Sequence, residues 1–206
     1  MKNKTTGWFS LLLLPVFLLM GCSKNFTNYY GDEQDPGLTI FSNKGNNILT
    51  CFIDGKPWQT APRVRFGLYA SLHYEVDIYR QQTTASQDTL RIIWTGYYNE
   101  NKDSTGYLAL TVPIAKNFNY KSFSALQGQR INIDTTNGFF STNIKGLNSS
   151  KIKGRGSIYF HSALLDSIGP SSYKGKMSGL IEADFISNKI TKGRFDHFID
   201  PPQIEL

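Results

Sequence analysis

Cysteine is scarce in this chain: Cys22 and Cys51 are the two in 206 residues. Two thiols cannot build the multi-bridge framework of a disulfide-dense secreted domain, and no closely spaced pair marks a structural zinc site. Histidine is as scarce, with three copies, too few for a crowded metal cluster. After Met20 no apolar run approaches the ~20 residues of a membrane helix. Helical periodicity is weak beyond that point, with Ser122–Gly128 and His161–Ser167 the short candidates. No GxSxG elbow occurs, and the glycines of Gly154-Arg-Gly-Ser lack the spacing and the strand–loop–helix setting of a dinucleotide loop. There is no fixed-length repeat. What remains is strand pattern, and an all-β domain is expected.

The N-terminus is the exception. Lys2 and Lys4 precede an apolar stretch from Trp8 to Met20, and Gly21-Cys22 follows. A charged start, a short apolar segment and a small residue form a signal peptide rather than a membrane span. The run Leu18-Leu-Met-Gly-Cys22 resembles the lipobox of bacterial lipoproteins. That resemblance implies cleavage after Gly21, a diacylglycerol on the Cys22 sulfur, acylation of the new N-terminus, and a partner in the membrane through that anchor. Each buried methylene contributes about 0.8 kcal/mol, so two or three chains hold firmly. In lipoproteins of this kind Ser23, rather than Asp, favours the outer membrane. The acidic residues Asp32, Glu33 and Asp35 come late for surface export, so a periplasm-facing placement is expected.

Loss of residues 1–21 leaves 185 residues and, with Lys2 and Lys4 gone, lowers the formal net charge from +6 to +4. That suits one domain on a tether and is no nucleic-acid footprint. Anionic glycans or lipid headgroups are the charge-compatible partners. Residues 22–46, rich in Asn, Gly, Ser and Asp, are expected to form a flexible tether of about 25–30 Å. A single β-rich domain is expected over 47–206. Cys51, in a strand-like run, is expected to be buried and inert.

The strongest alternation runs from Val64 to Arg80, with Val76 and Ile78 on one phase and Asp77 and Tyr79 on the other. Leu90, Ile92 and Trp94 continue the pattern, as do Leu108, Leu110 and Val112, then Ile131 and Ile133, then Ile158 and Phe160. Met177, Ile181 and Phe185 define another inner face. A two-residue loop at Ser187-Asn188 would pair Phe185 with Ile190. Phe195 then needs one inserted residue near Gly193 to face inward, with Arg194 and Asp196 outward and weakly paired. Antiparallel strands with one apolar face each imply a β-sandwich or a partly closed barrel.

Two segments carry a family resemblance. Phe52-Ile-Asp-Gly-Lys-Pro-Trp58 opens the domain; Ile190-Thr-Lys-Gly-Arg-Phe-Asp196, preceded by Ser178-Gly-Leu-Ile-Glu-Ala-Asp-Phe185, closes it. Together with the lipobox, the chain resembles small β-rich lipoproteins of the Bacteroidota, a family of unknown function that implies a fold and an address but no catalytic residues. Asp54 stands where Asn is commoner in that family's hairpin; Asp54-Gly55 has the same turn chemistry. Pro57 is expected at an edge or bulge, and Trp58 as a plug in the core.

Several constellations could carry chemistry. His73, Glu75 and Asp77 share a strand face and, with His161 or His197, could hold a divalent metal; a solvated face is the simpler expectation, and no metal or cofactor is assigned. Lys151, Lys153 and Arg155 make a basic stripe that could meet phosphate or uronate, or discourage edge pairing. Asp196-His197 is a fragment of a triad without a nucleophile. Tyr69, Tyr79, Tyr97, Tyr107 and Tyr159 fall on the less apolar phase, where rings can stack on sugars or on each other. The ligand-facing set expected is Tyr69, His73, Tyr79, Tyr159, Lys151, Lys153 and Arg155. The expected function is a non-catalytic binding or accessory domain, for glycan or a partner protein. A structural or adhesive subunit using strand edges is the alternative, and a hydrolase ranks last.

Overall fold

The computed structural model describes residues 32–60, 76–82, 88–98, 101–144, 153–170, 172–199 and 204–206. Residues 1–31, Cys22 among them, and Tyr69, His73, Glu75 and Lys151 lie outside them. The described chain is almost all strand: β1 (Ile48–Ile53), β2 (Lys56–Thr60), β3 (Val76–Gln82), β4 (Asp88–Tyr98), β5 (Asn101–Ile114), β6 (Arg130–Ile133), β7 (Phe139–Thr142), β8 (Arg155–Gly169), β9 (Ser172–Asp184), β10 (Lys189–Ile199) and β11 (Ile204–Glu205). One helix, α1 (Tyr120–Ser124), interrupts them.

Antiparallel pairing runs from β1 in two directions. One arm passes through β2, β4, β5 and β7; the other passes through β10, β9, β8 and β6. The arms meet where the backbones of Phe140 and Gly154 exchange hydrogen bonds of 2.9 and 2.8 Å. The sheet therefore nearly closes on itself, a barrel rather than a sandwich. β3 lies against β4, and β11 adds to β3 in parallel. The interior holds Trp58, Trp94, Phe160, Phe195, Ile92, Leu110, Ile158 and Ile181, all essentially inaccessible. Phe123 of α1 closes over this core, edge to face with Phe160 at 6.3 Å. Asn119 starts that helix by accepting from the Lys121 and Ser122 amides, at 2.9 and 3.3 Å.

The turn and the Trp58 plug of the opening hairpin are as its sequence implies, whereas Pro57, expected at an edge or bulge, stands opposite Phe52 in unbroken register on a strand between β1 and β4. Asp54 and Gly55 both take positive φ, 51° and 77°, as a type I′ turn requires. The Asp54 carboxylate also accepts from Asn188 Nδ2 at 2.6 Å and the Lys189 amide at 2.7 Å, tying this turn to the β9–β10 loop. Trp58 and Cys51 are buried, and burial pushes the Cys51 thiol pKa far up, so it stays protonated.

The closing hairpin differs in its loop. Lys189 faces Asp184 and Ile190 faces Ala183, so four residues, 185–188, make the turn instead of two. The Phe185 amide donates to the Asn188 carbonyl at 2.8 Å and closes it. The inserted residue is present. Three steps on β10, Ile190 to Gly193, match two on β9, Ala183 to Ile181, and Lys192 takes φ 51°. Phe195 is brought inside, and Gly193 leaves no room for a side chain: a Cβ there would lie 2.6 Å from the Ile181 carbonyl oxygen.

Two other expectations change. His161–Ser167 is not helical but the middle of β8, because Ser162, Ala163 and Leu165 are buried under neighbouring strands. Of the segment 22–46 expected as a flexible tether, residues 32–46 are docked on the barrel.

Candidate functional site

This N-terminal strap crosses the outer face of β10. Arg194 donates to Asp32 at 2.5 Å, to Asp35, and to the Thr39 carbonyl at 2.9 Å, while Lys192 donates to Asp35. The Arg194 hydrogen bond holds the Asp32 carboxyl below the usual carboxylate range. Asp196 points outward, as its phase requires, yet it is 4% exposed. Its carboxylate accepts from Ser42 Oγ and from the amides of Gly45 at 2.8 Å, Lys44 at 3.1 Å and Asn46 at 3.3 Å. The expected weak Arg194–Asp196 pair is therefore not formed: each residue is consumed by a different part of the strap. Phe41 sits edge-on to His161 at 5.5 Å, and the Phe198 amide donates to Asn47 Oδ1 at 2.7 Å.

Beside the strap lies an outer groove of about 400 Å³, lined by Asp35, Arg130, Ser157, Glu182, Lys192 and Arg194 together with apolar neighbours. Strand register makes it: Arg130 stands opposite Tyr159, Tyr159 opposite Leu180, and Ser157 opposite Glu182. The Arg130 guanidinium lies over the Tyr159 ring, 5.5 Å from its centroid, and donates to Ser157 Oγ at 3.1 Å. His161 meets the same ring at 6.5 Å. The groove thus has an oriented planar cation, an ammonium, a hydroxyl and a carboxylate, next to an aromatic wall of Tyr159, His161 and Phe41. It can hydrogen-bond ring hydroxyls and pair with an acidic group.

A second cleft, of about 360 Å³, opens on the inner side of β4 and β5, between Leu90, Ile92, Leu110, Val112 and Ile114 on one wall and Phe118, Leu126, Ile131 and Phe160 on the other. Its lining is apolar apart from Asn137.

Of the ligand-facing set expected from sequence, Tyr159 borders the outer groove and the other described members do not. Lys153 lies over the Phe139 ring at 4.6 Å, and Arg155 faces Asp184 at 3.6 Å; both line a smaller hollow of about 190 Å³. Tyr79 is half-buried on β3, opposite Arg91 of β4, and β3 does not pair with β8. Tyr97 is buried, its hydroxyl accepting from Gln59 Nε2, which removes it from the exposed tyrosines. Tyr69, His73 and Lys151 lie outside the described residues. His73 and Glu75 of the candidate metal set lie outside the described residues. His161 is exposed on the outside of β8, whereas His197 points into the core, and no metal-holding cluster occurs among the described residues. Asp196 and His197 project from opposite faces of β10 and form no dyad. Arg130, Ser157, Glu182 and Lys192 were not singled out by sequence, because only the β6–β8–β9–β10 register places them side by side.

His197 is wholly buried, and neither ring nitrogen has a hydrogen-bond partner among the described residues. Burial pushes its pKa down to about 3. Below pH ~6.5 the unfolded chain takes up a proton that the folded chain refuses, so stability falls as pH drops from 6.5 toward 3, by about 1.4 kcal/mol per unit. Urea titrations at pH 7 and pH 5 should differ by roughly 2 kcal/mol from this group. His197→Leu should remove that difference; an unchanged slope in the variant would show that the acid sensitivity arises elsewhere.

No family model, no curated protein and no solved structure matches the chain. No helix among the described residues is long and apolar enough to cross a membrane.

Proposed function

We propose that this chain is a lipid-anchored cell-envelope protein of the outer membrane, and that its barrel is a non-catalytic binding module for an acidic glycan, held in the outer groove. The observation that carries the binding assignment is Arg130, its guanidinium over the Tyr159 ring at 5.5 Å, on the lining of a polar groove of about 400 Å³. The ring contact and the hydrogen bond to Ser157 Oγ restrict the Arg130 side chain, so less freedom is lost when it pairs with a uronate or other carboxylate. Lys192, Ser157 and Glu182 supply the donors and acceptors that sugar hydroxyls need.

Glycan-array binding of the full chain is the test. Acidic polysaccharides should be retained, and Arg130→Ala or Tyr159→Ala should weaken binding about tenfold. Arg130→Lys should fall close to Arg130→Ala, because it keeps the charge and loses the two-pronged donor geometry of the guanidinium. Retention of no glycan, or Tyr159→Ala binding like the parent, removes this assignment. The anchoring assignment rests on Leu18-Leu-Met-Gly-Cys22. Cys22→Ala should abolish metabolic acyl labelling and change membrane fractionation; an unchanged fractionation and mature mass would count against it.

A further inference from the structure

We propose that the apolar cleft between the β4–β5 wall and Phe118, Leu126, Ile131 and Phe160 is a second binding site, one that takes the acyl chain of a single-chain fatty acid. Native interiors are close-packed, with few voids larger than a water molecule. This one has a volume of about 360 Å³, within the range of small-molecule sites.

Its chemistry rejects polar occupants. Asn137 is the one polar side chain on the lining, and both ends of its amide are already used in the β6–β7 turn. Its Oδ1 accepts from the Asp134 amide at 3.1 Å, and its Nδ2 donates to the Asn132 carbonyl at 2.7 Å. A bound water needs two to four polar partners, and this lining offers none from its side chains. An apolar occupant loses nothing there and gains roughly 0.8 kcal/mol per buried methylene.

Size and shape narrow the occupant further. From Leu110 to Ile114 the β5 wall runs about 13 Å, so the cleft is elongated. Its volume of about 360 Å³ lies at the small end of the range for ligand sites, which favours one chain over the two of a diacyl lipid. The polar end has a place as well. Phe118 lines the cleft, and its carbonyl accepts from Arg80 Nη1 at 3.1 Å. Arg80 Nε in turn faces the buried Asp88 carboxylate at 3.1 Å, and Asp88 stands opposite Ile114 in the ladder. The Arg80–Asp88 ion pair thus adjoins the Phe118 and Ile114 end of the lining.

Photo-crosslinking tests this on the full chain in its own membrane, with a diazirine-bearing fatty acid as probe and a diazirine-bearing diacyl phospholipid as the second arm. Fatty-acid adducts should concentrate on peptides containing Leu110–Ile114 and Leu126–Ile131, and excess unlabelled fatty acid should reduce them about tenfold. Leu126→Trp and Ile131→Trp each narrow the cleft at a half-buried position and should remove the adducts while leaving the unfolding temperature nearly unchanged. Equal labelling of the phospholipid on these peptides overturns the single-chain assignment. Adducts spread over the surface, or insensitive to competition, overturn the site; if both Trp variants fail to fold, the competition result on the parent decides. The glycan groove lies on the opposite side of the barrel wall, so Arg130→Ala should leave this labelling intact, and either site can fail without the other.

Discussion

Asp196→Asn is expected to lower the unfolding free energy by about 2–4 kcal/mol and the unfolding temperature by roughly 5–15 °C. Hydrogen bonds to a charged acceptor contribute about 1.5–3 kcal/mol each and are not additive. Asp196 accepts from the Ser42 hydroxyl and from the amides of Lys44, Gly45 and Asn46, all on the strap. Asparagine keeps one acceptor and turns an NH2 toward groups that are themselves donors. The ceiling on the loss is the docking energy of the strap, since the strap can lift off and solvate its own amides. Two controls separate this from a generic charge effect. Asp184→Asn should cost no more than ~1 kcal/mol, because its partner Arg155 is 3.6 Å away and both side chains are well exposed. Arg194→Met releases the same strap from Asp32 and Asp35, so the Asp196→Asn/Arg194→Met pair should cost less than the sum of its singles. Limited proteolysis between residues 32 and 46 should accelerate in each variant. If Asp196→Asn unfolds like the parent, the carboxylate is not what holds the strap.

Much of the barrel is legible in the sequence, and the reason is local. Alternation in β4, β5, β9 and the start of β8 fixes which side chains face inward without knowledge of their partners, and it fails past Phe160, where β8 carries a register shift. The insertion near Gly193 can be deduced because two inward residues, Ile190 and Phe195, are separated by an odd number of steps. The site is less legible, because it is built from register. Arg130 meets Tyr159 only through β6–β8 pairing, and Lys192 meets Glu182 only through the bulge and β9. The strap is the sharpest case. Asp32, Asp35 and the run Ser42–Asn46 have the polar, glycine-containing composition of a tether. Nothing in that composition shows that Arg194 and Lys192 carry the complementary charge some 160 positions on. In Ile190-Thr-Lys-Gly-Arg-Phe-Asp196 the alternation implies that Arg194 and Asp196 face outward as a weak pair; instead, with Lys192, they clasp the N-terminal segment.

Between those charges, Phe195 belongs to the core alone, and Phe195→Ala should cost roughly 3–5 kcal/mol. Its ring lies 5.7 Å from Trp94 and 6.0 Å from Phe160, so it joins residues from β4 and β8 across the interior. It covers Gly179 on the adjacent strand, where an added Cβ would come within 2.6 Å of its Cζ and 1.9 Å of the Tyr159 carbonyl oxygen. A ring seated over a glycine is held by backbone on one side and aromatic faces on the others, and such walls relax little when the ring is removed. The loss therefore falls in the upper part of the range for aromatic truncation, a large share of a domain's typical 5–15 kcal/mol. Gly179→Ala should also destabilise, by overpacking the same spot. Phe198→Ala, three positions on and 42% exposed, should cost well under half as much as Phe195→Ala. Urea titrations of the three variants at one pH, read at constant m-value, give the ranking. A Phe198→Ala loss equal to or larger than that of Phe195→Ala would place the inserted residue elsewhere in β10 and put Phe195 on the outer face.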